Sequence, residues 1–139
     1  MRVTEIVNAK GSDVLSLGPS ASVAELVQKL AKNKVGAILI MDGGQLAGIV
    51  SERDVVRFVA AGGDLDAPVD EIMTVDVETC SPSDEIEGLA KVMTGRRVRH
   101  LPVVQDGKVL AIVSIGDVVK GRLDELQAER DHLADYVAG

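Results

Sequence analysis

The stretch Gly48–Arg57 reads GIVSERDVVR, and 63 residues further on Ala111–Lys120 reads AIVSIGDVVK. An apolar run, a serine, two variable residues, an aspartate and two valines occur twice in the same order. Self-similarity at a fixed period is tested first, because a repeat decides the fold before any single element does. At the same offset Pro19-Ser20 falls on Pro82-Ser83, Val23 on Ile86 and Leu26 on Leu89. Lys34-Val35 falls on Arg97-Val98, Ile38 on Leu101 and Ile40 on Val103. Asp42-Gly43 is echoed by Asp106-Gly107 with a slip of one residue. The chain is two copies of one unit of about 60 residues.

Each copy predicts the order β-α-β-β-α. A short extended piece, DVLSLGP or DVETCSP, leads to a helix start, with Ser20 or Ser22, and Ser83 or Asp84, as caps. Val23, Leu26, Val27 and Leu30 then follow helical spacing, as do Ile86, Leu89, Ala90 and Met93. A nearly all-apolar strand comes next, VGAILIM or VRHLPVV. A glycine-containing turn joins it to LAGIVS or VLAIVS as a hairpin. A second helix opens at ERDVVRFVAA or GDVVKGRLDEL, and Gly62-Gly63 stops the first of these. The expected division is repeat one over 1–63, repeat two over 64–121 and a C-terminal helical extension over 122–139. One copy buries too little surface alone, so two three-stranded units sharing a core are expected, an α+β pseudo-twofold pair.

Composition narrows the function classes. The 139 residues suit one ordinary domain, and 46% hydrophobic with 27% charged residues is a globular balance. No apolar run reaches the ~18 residues of a membrane span, and the N-terminus has no signal-peptide core, so a cytoplasmic protein without membrane contact is expected. A net charge of −7 argues against bulk nucleic-acid binding. Cys80 is the only cysteine, and His100 and His132 are the only histidines, so neither a disulfide nor a Cys/His zinc site is expected. His132 is assigned to the surface, and Cys80 is read as a small hydrophobe, with redox sensing as the alternative. With Phe58 and Tyr136 the sole aromatics, any base-recognising pocket must be aliphatic.

The repeated Ser-x-x-Asp has two readings. A serine at a strand end and an aspartate in the first turn cap a helix and suit its dipole. The same groups can grip a ligand: helix-start N–H groups and a hydroxyl attract phosphate, and a carboxylate accepts from a ribose diol. At these residues the chain resembles a tandem pair of CBS domains, named after cystathionine β-synthase and known together as a Bateman module. The likeness spans roughly residues 1–121 through the repeat period, the strand RHLPVV, the DG turn and the IVSxxDVV phrase. It implies a regulatory module that binds adenosyl ligands, with AMP first and ADP, ATP, NAD or S-adenosylmethionine as others, and with no obligatory cofactor. Energy sensing is the implied role.

The resemblance also implies two clefts, each joining the Ser-x-x-Asp of one repeat to the middle strand of the other. The first takes Ser51, Arg53 and Asp54 with Arg99 and His100, and has Thr79 or Cys80 at its wall. The second takes Ser114, Gly116 and Asp117 with Gly36 and Ala37, and has Ser16 or Leu17 at its wall. Arginine and histidine favour phosphate, so the first cleft is expected to bind a nucleotide more tightly. The bland reading of Arg96–His100 is a solvated strand edge. Other classes remain open: an interaction module with empty clefts, or an enzyme, for which a Cys80/His100 pair is the sole nucleophilic candidate and no acid pair or metal cluster is in view. In the tail Val119, Leu123, Leu126, Arg130, Leu133 and Val137 recur at steps of four and three, a short heptad seam. It packs on its own domain or on a second subunit. A homodimer, together with an unnamed protein partner, is the expected assembly.

Overall fold

The computed structural model describes residues 1–11 and 14–138. Two compact units form: Val14–Val77, and Met1–Asp13 together with Glu78–Gly139. Asp13, which begins the first extended piece of the sequence reading, lies outside the described residues.

In the unit Val14–Val77 the order is β1 (Ser16–Leu17), α2 (Val23–Asn33), β2 (Ala37–Asp42), β3 (Gln45–Ser51) and α3 (Glu52–Ala60), with a 3-10 turn at Val69–Glu71. The helix α1 (Val3–Lys10) precedes them in the chain and belongs to the other unit. Ser22 caps α2 by accepting from the Glu25 N–H at 3.1 Å. Its apolar residues Val23, Leu26 and Leu30 are buried at helical spacing. The helix ends at Lys34, left-handed at φ 54°, where the Val35 N–H reaches back to the Leu30 carbonyl at 3.2 Å. β1 runs parallel to β2, and β2 pairs antiparallel with β3, Ala37 opposite Ser51. The core is Val23, Leu26, Leu30, Ile38, Ile40, Val50 and Val69.

The other unit repeats this at the offset of 63: α4 (Ile86–Arg96), β4 (His100–Gln105), β5 (Lys108–Ser114) and α5 (Ile115–Ala138). Arg97, at φ 56°, is the left-handed counterpart of Lys34. Both hairpins carry a bulge at matching places, after Ile40 and after Val103. Both turn on two residues of positive φ, Gly43-Gly44 and Asp106-Gly107, the pattern of a type I′ turn. The one-residue slip expected there is absent. Asp106 stands where Gly43 stands, because a short polar side chain tolerates the left-handed region.

Three features depart from the expectations. First, the N-cap of α4 is Glu85, which makes no side-chain cap, and the Asp84 carboxylate instead accepts from the Ser81 N–H at 2.8 Å. Second, among the described residues this unit has two strands rather than three. The extended piece makes a single parallel bridge, Cys80 with Val103. Leu39 donates its N–H to the Leu15 carbonyl at 3.3 Å, but its counterpart is Pro102, which has no N–H to give, so the third strand shrinks to one residue. Third, α5 is one continuous helix, so the second helix of the repeat and the C-terminal extension are a single element.

The units are closed by segments from unexpected parts of the sequence. Val69-Asp70-Glu71-Ile72-Met73 and Val3-Thr4-Glu5-Ile6-Val7 share one pattern. Val69 is fully buried among Val23, Leu26 and Val50, and there Ser22 bridges to Pro68. Val3 is fully buried among Ile86, Leu89 and Val118, and there Glu85, the counterpart of Ser22, bridges to Arg2. Each segment precedes one repeat in the chain and completes the other in space. Residues 1–13 therefore go with the second copy and 64–77 with the first, which differs from the division at residue 63. The crossing also explains Gly48: a Cβ there would stand 2.8 Å from the Thr74 carbonyl oxygen, whereas its counterpart is Ala111.

Candidate functional site

In each unit a strand runs directly into a helix, and the Ser-x-x-Asp sits at that corner. Ser51 ends β3 with extended backbone. Its N–H donates to Asp54 Oδ2 at 2.8 Å, its Oγ donates to the same oxygen at 3.0 Å, and the Asp54 N–H donates to Ser51 Oγ at 3.3 Å. This is a capping box, so the capping reading of the motif is realised in full. The Glu52 N–H donates to the Gly36 carbonyl at 2.9 Å and ties the corner to the start of β2. Gly36, Ala37, Ser51 and Asp54 thus gather at one end of the sheet. Ala37 is buried, Asp54 half-buried and Arg53 exposed. Ser16 lies in β1, where its carbonyl accepts from Lys29 Nζ at 2.8 Å.

The second corner has the same frame. The Ser114 N–H donates to Asp117 Oδ2 at 2.9 Å, and the Asp117 N–H donates to Ser114 Oγ at 3.1 Å. The Ile115 N–H donates to the Arg99 carbonyl at 2.8 Å, and His100 pairs with Ser114 across the hairpin. Arg99, His100, Ser114, Gly116 and Asp117 therefore gather here. Arg99 and Gly116 are exposed and His100 is half-buried. Of the neighbouring arginines, Arg96 pairs with Glu78 at 3.7 Å and Arg97 ends α4. Thr79 is exposed beside the buried Cys80, at the edge of the hairpin.

One residue at this corner was not anticipated. Lys10, the last residue of α1, donates from Nζ to Asp117 Oδ2 at 2.7 Å and to the Ile112 carbonyl at 2.7 Å. Partial burial alone would raise the Asp117 pKa. Hydrogen bonds from Lys10 and Ser114, with the Lys10 charge, outweigh it and hold the carboxyl below its usual range. The only local hint was a lysine in the last turn of a helix, since Lys10 and Asp117 are 107 residues apart.

Cys80 is 8% exposed, and burial, helped by the charge of Asp84, pushes its thiol up to about 12. At pH 8 it is protonated, so a disulfide reagent should label the folded chain at least about 100-fold more slowly than the urea-unfolded chain. Equal rates would restore a redox role. Among the described residues, no three His, Cys, Asp or Glu side chains are grouped to hold a metal ion, and no helix is long and apolar enough to cross a membrane.

Comparison with known proteins places this geometry. The family model for the CBS domain matches residues 3–61 and again 69–124. A crystal structure of a CBS-domain containing protein from Agrobacterium tumefaciens is 39% identical, with a TM-score of 0.85 over 88% of this chain and 99% of that one. A CBS domain protein from Pyrobaculum aerophilum, complexed with AMP, is 30% identical, with a TM-score of 0.77 over 84% of this chain and 89% of that one. A mitochondrial CBS domain-containing protein of Arabidopsis thaliana is 30% identical over 99% of this chain and 72% of its own length. With both repeats matched and the strand-to-helix corner present in each, this chain belongs to the CBS domain family, as a tandem pair.

Proposed function

We propose that the chain is a regulatory module that binds an adenosyl nucleotide, AMP first, and acts by binding rather than by turnover. The observation that carries this reading is the doubled corner. In each copy the backbone N–H of a strand-end serine fixes an aspartate carboxylate beside a helix start. A carboxylate held in this way is a preorganised acceptor for a ribose diol, and the adjoining helix start suits a phosphate. Ser51, Arg53 and Asp54 serve one ligand, and Ser114 and Asp117 the other. The AMP-bound relative from Pyrobaculum aerophilum supports the ligand class.

The test is a thermal-shift panel on the purified chain with AMP, ADP, ATP, NAD, S-adenosylmethionine and GMP. A ligand at 100 times its dissociation constant adds about 2.7 kcal/mol, which raises the Tm of a domain this size by roughly 5 °C or more. A rise with AMP that is absent with GMP is expected. A flat panel would favour the second reading, an interaction module with empty sites.

The signalling output we assign to assembly, in a cytoplasmic homodimer that reports to a protein partner. The seam on α5 supports this. Val119, Leu123, Leu126, Leu133 and Val137 are 48–83% exposed, and within its own unit the helix buries Val118 and Gly121 instead. Truncation after Lys120 should convert a dimeric mass in solution to a monomeric one. An unchanged mass would remove the seam from the interface.

A further inference from the structure

Resting on the reading of Asp117 as a ribose acceptor, we propose that Lys10 is an intrachain competitor for that carboxylate, which a ligand must displace before the second site can fill.

The two corners share the serine, the aspartate and the serine N–H bond to its carboxylate, yet among the described residues an ammonium lies on the aspartate of the second alone. The cause lies in the crossed segments. Ile49 and Ile112 correspond, and in each copy the incoming segment satisfies that carbonyl. In the first, the segment leaves its 3-10 turn after three residues, and the Thr74 N–H reaches the Ile49 carbonyl at 2.9 Å. In the second, the segment stays helical for the eight residues of α1, and among the described residues its main chain gives the strand no hydrogen bond. The Lys10 side chain takes over the carbonyl of Ile112, and the same ammonium then lies against Asp117. It occupies Oδ2, the oxygen that in the first copy accepts from the Ser51 hydroxyl. A neutral sugar hydroxyl offers a weaker hydrogen bond than an ammonium, so it cannot share that oxygen on equal terms.

Displacement is nevertheless within reach. Lys10 and Asp117 side chains are 43% and 26% exposed, the range in which an ion pair holds by about fivefold or less. A cleft of about 240 Å³ adjoins the pair, with Ile6 and Gly121 in its wall and two further carboxylates, Glu5 and Asp124, to receive the released ammonium. Gly11, at φ 92°, follows Lys10 and ends the helix there. The first carboxylate is thus held by its own serine, whereas the second also carries an ammonium from α1 that a ligand has to displace.

The experiment is calorimetric titration of the full chain with adenosine and with AMP, in an Asp54→Ala background that leaves the second site to be read. Lys10→Met keeps the aliphatic stem and removes the charge. It should tighten adenosine binding by about 2–5-fold, and the gain should vanish in Lys10→Met/Asp117→Ala. Unchanged adenosine affinity would overturn the proposal. So would weaker AMP binding, which would make Lys10 a phosphate contact instead. If the unsubstituted chain binds neither adenosine nor AMP, the nucleotide reading falls and takes this one with it. If it binds them and Lys10→Met binds no tighter, the competitor role alone falls.

Discussion

Asp54→Ala should weaken AMP binding about 100-fold while costing the free protein only about 1 kcal/mol. The two effects have separate origins. A carboxylate gripping a sugar diol makes charge-assisted hydrogen bonds of ~1.5–3 kcal/mol, and losing about 2.7 kcal/mol is two decades in affinity. The stability loss comes from the capping box, in which Asp54 Oδ2 accepts from the Ser51 N–H at 2.8 Å. Removing such a cap costs ~1 kcal/mol. Asp54→Asn separates the two, because an amide oxygen still accepts from the backbone without the charge. It should melt close to the unsubstituted protein yet bind AMP at least about tenfold more weakly. Calorimetry gives the affinities, and melting curves without ligand give the stabilities. AMP binding in Asp54→Ala as tight as before would confine the motif to its capping role.

Deleting Met1–Lys10 should destabilise the second repeat and spare the first. Val3 is fully buried and Ile6 is 8% exposed, both within the core of Ile86, Leu89, Leu101 and Val113. Burying a side chain of this kind contributes ~1.5–3 kcal/mol, so removing both costs roughly 4 kcal/mol. That is a large part of the 5–15 kcal/mol typical of a whole domain. Amide hydrogen exchange locates the damage, since protection tracks local opening. Amides of β4 and β5 should exchange faster by about two decades or more, and those of β2 and β3 should change far less. A contiguous division at residue 63 predicts the reverse, so a loss confined to β2 and β3 would refute the crossed arrangement.

Much of each unit is legible because its signals are short-range. The spacing of Val23, Leu26 and Leu30 needs only the helical period, and the two hairpins need only apolar runs around left-handed turn residues. The corner was legible for the same reason, since Ser51 and Asp54 are three residues apart and their hydrogen bonds follow from the strand-to-helix turn. Of the two caps offered for α2, Ser20 and Ser22, the second is the one used, whereas Ser83 and Asp84 misled. Asp84 had a rival donor in the Ser81 N–H, and sequence does not rank such rivals. Pro102 carried a readable consequence, the lost N–H, but its effect depends on which strand lies alongside.

By itself, then, the sequence determined the α-β-β-α order of both copies, the hairpin turns and the two Ser-x-x-Asp corners, because local periodicity and side-chain chemistry settle them. The tertiary structure alone decided which copy each Val-x-Glu-Ile segment completes. Both segments adjoin in sequence the repeat they do not close, and their hydrogen bonds run from Val3 to Asp84 and from Val69 to Ala21. It alone decided that Lys10 meets Asp117, across 107 residues of chain. Contacts of that range depend on where a helix ends in space. That is set by the packing of Val3 and Ile6 in the core, which no period in the chain records.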